Sequence, residues 1–146
     1  MNNVISKAFE KAQALSKASG AEDDISRLPE QVQNFLLVYA AQGVIDNGGY
    51  CYFFESDWPQ NPPYSKFIDA YSEIGCVSQA NELQRIVLTF PFSDPHMKAK
   101  ERQKFIKENY DEENFKVTVW GDKLCGDEEV WRKLADYYQN HANIFA

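Results

Sequence analysis

The chain has 146 residues, 44% of them hydrophobic and 25% charged, with a net charge of −7. That length suits one domain with a sizeable core, and the charge argues against direct nucleic-acid binding, because gripping a phosphate backbone requires Lys and Arg to neutralise it. The three cysteines, Cys51, Cys76 and Cys125, are odd in number and include no Cys-x-x-Cys pair, which argues against a disulfide framework and a zinc site and suits buried thiols in a reducing cytoplasm.

The first stretch interleaves Lys7, Lys11 and Lys17 with apolar residues, so it has no uninterrupted apolar segment of a signal peptide. Val4/Ile5, Ala8, Ala12 and Leu15 recur there at helical spacing. Val32, Phe35/Leu36 and Tyr39 form a second stripe. Pro29 before it suits a first helical turn, and Glu30 favours the positive end of the helix dipole. The longest apolar run, Phe35 to Ala41, is far too short to span a bilayer. Asn47-Gly48-Gly49 is expected to end this helix, with glycines that tolerate positive φ, while Tyr50, Phe53 and Phe54 return aromatic mass to the core. The segment DWPQNPPY then breaks the chain, and Tyr64, Phe67/Ile68, Tyr71 and Ile74 predict a third helix stopped at Gly75.

A fourth stripe, Val77, Ala80, Leu83, Ile86/Val87 and Phe90, is closed by Pro91. Asp94-Pro95 reads as a cap and a first-turn proline opening a helix from His96 to Tyr110. Lys116 to Trp120 alternates β-branched residues and makes at most one minor strand. Gly126-Asp127-Glu128-Glu129 caps a last helix carrying Val130, Leu134, Tyr137, His141 and Phe145. The expectation is an all-α single domain over residues 1–146, a bundle of about six or seven helices with short connections and no internal repeat or linker.

Little in this chain suits catalysis. His96 and His141 fall on separate predicted helices, and no His-Glu-x-x-His, phosphate-loop, dinucleotide or Gly-x-Ser-x-Gly element occurs. The acidic triplets Glu22-Asp23-Asp24, Asp111-Glu112-Glu113 and Asp127-Glu128-Glu129 lie near helix starts or in loops, where they stabilise helix N-termini, and adjacent carboxylates diverge around a helix instead of converging on a metal. Lys100, Lys104 and Lys107 form a basic stripe that Glu101 and Glu108 turn into a salt-bridged exposed face. No catalytic, cofactor-binding or metal-binding residues are expected. Charge is unevenly spread, however: residues 21–82 hold ten acids against two bases.

Leu28-Pro29-Glu30, Val38-Tyr39, Asn47-Gly48-Gly49-Tyr50, Phe53-Phe54, Ile74-Gly75 and Phe90-Pro91 appear in an order that resembles a small bacterial family of unknown function whose best-known member is a DNA-mimic protein. The resemblance covers about residues 26 to 92 and departs at Tyr52, where Gln is expected, and at Ser56, where Asn is expected. It implies an all-helical fold without known catalysis, and its DNA-mimic member is an acidic dimer that sets carboxylates where DNA sets phosphates and occupies the DNA-binding surface of a transcription factor. The expectation is a non-enzymatic, cytoplasmic protein that presents an acidic surface to a basic partner, with DNA mimicry as the form the resemblance suggests. The acids of the middle segment, Glu22, Asp23, Asp24, Asp46, Glu55, Asp57, Asp69 and Glu73, are the expected partner-binding residues. Asn47, Gly48, Gly49, Tyr50, Phe53 and Phe54 are the expected structural motif. Acidity suits equally an immunity or antitoxin-like protein that blocks a toxin. An enzyme with an aromatic pocket around Tyr50, Tyr52, Phe53, Phe54 and Trp58, using Glu55 or Asp57 as acid or base, is the reading from a different class.

Overall fold

The structure, a computed structural model, describes residues 2–109 and 127–146. The expected strand at 116–120, the triplet at 111–113 and Cys125 lie outside these. Among the described residues there are seven α-helices and no strand: α1 (Asn2–Ala18), α2 (Glu30–Glu55), α3 (Tyr64–Glu73), α4 (Val77–Val87), α5 (Ala99–Asn109), α6 (Glu128–Asn140) and α7 (Ala142–Phe145). None of them is long and apolar enough to cross a membrane.

Each helix forms where an apolar stripe needs a partner. α1 buries Ile5, Ala8 and Ala12 and stops at Gly20, whose φ of 69° lets the Ala21 N–H reach back to the Ser16 carbonyl at 2.8 Å. Asp24 caps a 3-10 turn, Ile25–Arg27, by accepting from the Ser26 N–H at 3.0 Å. α2 is the central element and packs against α1, α3, α5, α6 and α7. Its buried residues run almost all the way round, as a helix enclosed by neighbours requires. α3 pairs with α4, and α1 lies on α6 and α7.

The Asn47-Gly48-Gly49 corner behaves differently from a simple stop. Gly49 takes φ 70°, ψ −169°, which breaks the regular helix, yet the chain resumes helical geometry at once and continues to Glu55. Gly48 stays helical, and the bend folds Tyr52 back over it: a Cβ on Gly48 would sit 2.6 Å from the Tyr52 Cβ. The kink aims Tyr50, Phe53 and Phe54 inward, each at most 1% exposed. Phe53 meets Phe67 edge-on at 5.3 Å between centroids, and Phe54 meets Phe90 at 5.5 Å. Edge-to-face pairs of this kind add about 0.5–1.5 kcal/mol beyond the area they bury.

Other boundaries shift for local reasons. Pro29 and Pro63 take extended ψ values of 146° and 145° and stand at the N-cap of α2 and α3, one residue ahead of the first turn. α4 ends at Val87, short of Pro91, and its first residue Val77 is exposed while Gln79 is buried, its amide donating to Asp127 at 3.2 Å. The helix expected from His96 begins only at Ala99. Pro95–Met97 forms a 3-10 turn, and Lys98 at φ −125°, ψ 64° interrupts the path. Its Asp94 sits in the left-handed region and makes no side-chain cap. His141 likewise divides α6 from α7. Gly75 does stop α3, at φ 95°, with the Cys76 N–H returning to the Tyr71 carbonyl.

Tyr64, beside Phe53 and Phe54, is 4% exposed, and its hydroxyl meets no partner among the described residues. Burial pushes its phenol up to about 12 from 10.0, against the opposing pull of Arg102. The folded state therefore keeps a proton that the unfolded chain releases near pH 10, so the stabilisation is complete below that pH and is lost as pH rises through the folded value. Thermal melts followed by circular dichroism should show Tm falling between pH 10 and 12, with a shallower fall in Tyr64→Phe. Equal slopes in the two proteins would remove Tyr64 as the source.

Candidate partner-binding surface

Of the acids expected to face a partner, Glu22, Asp23, Glu55, Asp69 and Glu73 are exposed. The other three are engaged by the chain's own groups. Asp24 is the turn cap already described, and its bonds to the Ser26 hydroxyl and N–H hold the carboxyl below its usual range. Asp46 is half-buried, accepting from Gln42 on one oxygen and from the Trp131 indole on the other, both at 2.8 Å. Gln42 in turn accepts from the buried Tyr71 hydroxyl at 2.8 Å, so one chain of hydrogen bonds joins α2, α3 and α6. Asp57 is 62% exposed but receives Arg102 at 2.9 Å.

Arg102 is a residue that sequence reasoning missed. It is 1% exposed, and besides Asp57 it donates to the carbonyls of Phe54 at 2.8 Å, Pro95 at 2.6 Å and Ser56 at 3.2 Å. A helix in which six of eleven residues are Lys, Arg or Glu reads as a solvated face, and nothing in the pattern separates this arginine from Lys100, Lys104 and Lys107, which are exposed as expected.

Glu73 has unexpected company. The start of α2, the end of α3 and α6 enclose a cleft of about 400 Å³ lined by Glu30, Glu73, Asp136, Lys133, Tyr137 and His141, among others. Three carboxylates thus come together from positions 43 and 63 residues apart in sequence. Asp69, one turn before Glu73, continues that acidity along the exposed face of α3. The cleft's lysine is already committed: Lys133 donates to the Gly75 carbonyl at 2.7 Å and pairs with Glu129 at 3.0 Å. Asn34 donates to the Tyr137 hydroxyl at 3.3 Å, and the His141 Nδ1 lies 2.8 Å from the Tyr137 carbonyl, to which it donates as N–H. Burial foremost, with the fields of Glu73 and Glu30, raises the Tyr137 phenol, partly offset by the Asn34 bond. Glu73 ends its helix, where a negative charge opposes the dipole. Local helix stability therefore does not account for a carboxylate at that position.

The alternative aromatic pocket takes another form. Tyr50, Phe53 and Phe54 pack into the core, Tyr52 is 50% exposed, and Asp57 is tied to Arg102 away from the groove that Trp58 lines. Among the described residues no group of three or more His, Cys, Asp or Glu is placed to hold a metal ion. Cys76 is fully buried, and desolvation foremost pushes its thiol up to about 11, which makes it a poor nucleophile.

No curated protein and no solved structure gave a significant match to the chain. A family model does match, over residues 26–141, most of the length and both sides of the acidic cleft. The chain belongs to the family of DMP19-like proteins.

Proposed function

We propose that this chain is a non-enzymatic acidic interaction protein, a DNA mimic that offers carboxylates in place of phosphates to the DNA-binding surface of a basic protein. The family is a DNA-mimic family, and the observation that carries the reading furthest is the convergence of Glu30, Glu73 and Asp136 around one cleft whose lysine is already paired. Asp69 and Glu73, four residues apart on α3, supply charges about 5–6 Å apart, a spacing a phosphate-binding surface can follow. Glu22, Asp23 and Glu55 extend the acidic character beyond the cleft, and the dimeric state of the family's DNA mimic is the arrangement in which two such faces would be joined.

The test is capture of partners from a lysate at low salt, with wild type compared with Glu30→Lys, Glu73→Lys and Asp136→Lys combined. A basic DNA-binding protein should be retained by wild type, elute as salt rises, and bind the variant at least about tenfold more weakly. The reading fails if wild type retains no basic protein, or if the variant retains it equally well. Recovery of a toxin in its place would favour the immunity function.

A further inference from the structure

Between α1, α2 and the turn that follows Trp58 lies a second hollow, an apolar groove of about 470 Å³. Phe9, Leu36, Tyr39, Trp58 and Phe67 supply much of its wall. Among the described residues that line it, the charged ones are Glu22 and Asp23, both exposed, and none is Lys, Arg or His. The Trp58 indole N–H is buried and meets no acceptor among the described residues. Beside it Gln60 and Asn61 hold φ values of 64° and 45°, which non-glycine residues rarely adopt, fixed by the Asn61 N–H donating to the Trp58 carbonyl at 2.8 Å. An aromatic-walled hollow, an unused donor, a strained turn and an all-acidic rim thus occur in one place.

We propose that this groove seats an apolar side chain of the basic partner, carried on a segment that flanks it with Lys or Arg. The proposal rests on the reading of the chain as an acidic interaction protein and names where, beyond the charges, the partner is recognised. Carboxylates alone give an attraction that salt erodes and that any basic surface shares. An apolar residue buried in an aromatic pocket beside two acids adds a contact that salt does not weaken and that a phosphate backbone cannot offer. A cation next to that residue reaches Glu22 and Asp23.

Two synthetic peptides test this: an amphipathic Leu/Lys helix of about 14 residues, and its counterpart of equal length and charge with Ser for every Leu. Each is titrated into the isotope-labelled full chain, following the indole N–H resonances by NMR, with the Trp58 signal assigned from Trp58→Phe. Ala40, an exposed α2 residue lining the groove, is replaced by Arg to fill it without removing a core contact. The Leu/Lys peptide should shift the Trp58 resonance and bind at least about tenfold more tightly than the Ser/Lys peptide. Ala40→Arg should erase that advantage and leave the weaker, salt-sensitive binding of the Ser/Lys peptide in place. If the two peptides bind alike, or Ala40→Arg spares the advantage, the groove proposal is overturned while the acidic-surface reading stands. If neither binds at low salt, both are overturned. If tryptamine shifts the Trp58 resonance and the Leu/Lys peptide does not, the groove is a small-molecule pocket and the proposal is likewise overturned.

Discussion

Arg102→Met should cost at least about 3 kcal/mol of folding stability, because it abandons three carbonyl acceptors at about 1–3 kcal/mol each. In a chain of this size that corresponds to a fall in Tm of roughly 10 °C or more. Methionine preserves most of the buried length of the side chain, so the loss isolates the four hydrogen bonds to Phe54, Ser56, Pro95 and Asp57. Most of the effect belongs to the carbonyls. Asp57 is 62% exposed and returns to water when released, so Asp57→Asn should cost under about 1 kcal/mol. The three carbonyls are held inside the junction of α2, α5 and the Pro95 turn, where an abandoned acceptor bears its desolvation penalty. Arg102→Lys should recover little, because one ammonium cannot reach four acceptors set around a planar fork. Urea denaturation followed by circular dichroism measures all three variants. A loss in Arg102→Met no larger than in Asp57→Asn would show that the arginine is not the clamp described.

Gly49→Ala is expected to lose about 2–3 kcal/mol, because φ 70° with ψ −169° is a region essentially reserved for glycine. The substitution adds one methyl, at a buried position, and removes no contact. Relief of that strain by straightening the helix would swing Tyr50, Phe53 and Phe54 out of register with Phe67 and Phe90, so near-ultraviolet circular dichroism should weaken together with stability. Asn47→Ala is the control. It is exposed, its amide bonds only to the Gly43 carbonyl, and it should stay within about 0.5 kcal/mol of wild type. Were Gly49→Ala as stable as that control, the kink would be a tolerated irregularity and not a requirement.

What the sequence revealed and what it hid follow one physical division. Helical stripes were legible because burial on one face imposes a period of its own, and Ile5, Ala8, Phe35, Phe67, Leu83 and Leu134 all lie in the core. The corner at Gly49 was legible because a positive φ demands glycine; its continuation as helix was not, because only the packing of Phe53 and Phe54 makes resumption favourable. The break at Lys98 had no signal, since lysine is a good helix former and the bond from Arg102 to the Pro95 carbonyl beside it is a tertiary contact. Among the candidate site residues, exposure could be anticipated for Asp69 and Glu73. The roles of Asp46 and Asp57 as acceptors for Trp131 and Arg102, and the placing of Glu30 and Asp136 on one cleft, depend on which helices become neighbours and leave no trace in local pattern.

The hydrogen-bond chain from Tyr71 through Gln42 and Asp46 to Trp131 has a mechanical meaning for anything that docks beside it. It braces α3 and α6 against α2, and Lys133 adds a second brace from α6 to the corner after α3. The carboxylates of Glu73 and Asp136 therefore stand on a scaffold whose backbone spacing is set before any partner arrives. A floppy polyanion must be ordered by whatever it meets, whereas under the function proposed above this surface would work as a stencil of fixed pitch. Its selectivity would rest on whether a partner's cations match that pitch, more than on how many acids the chain contains.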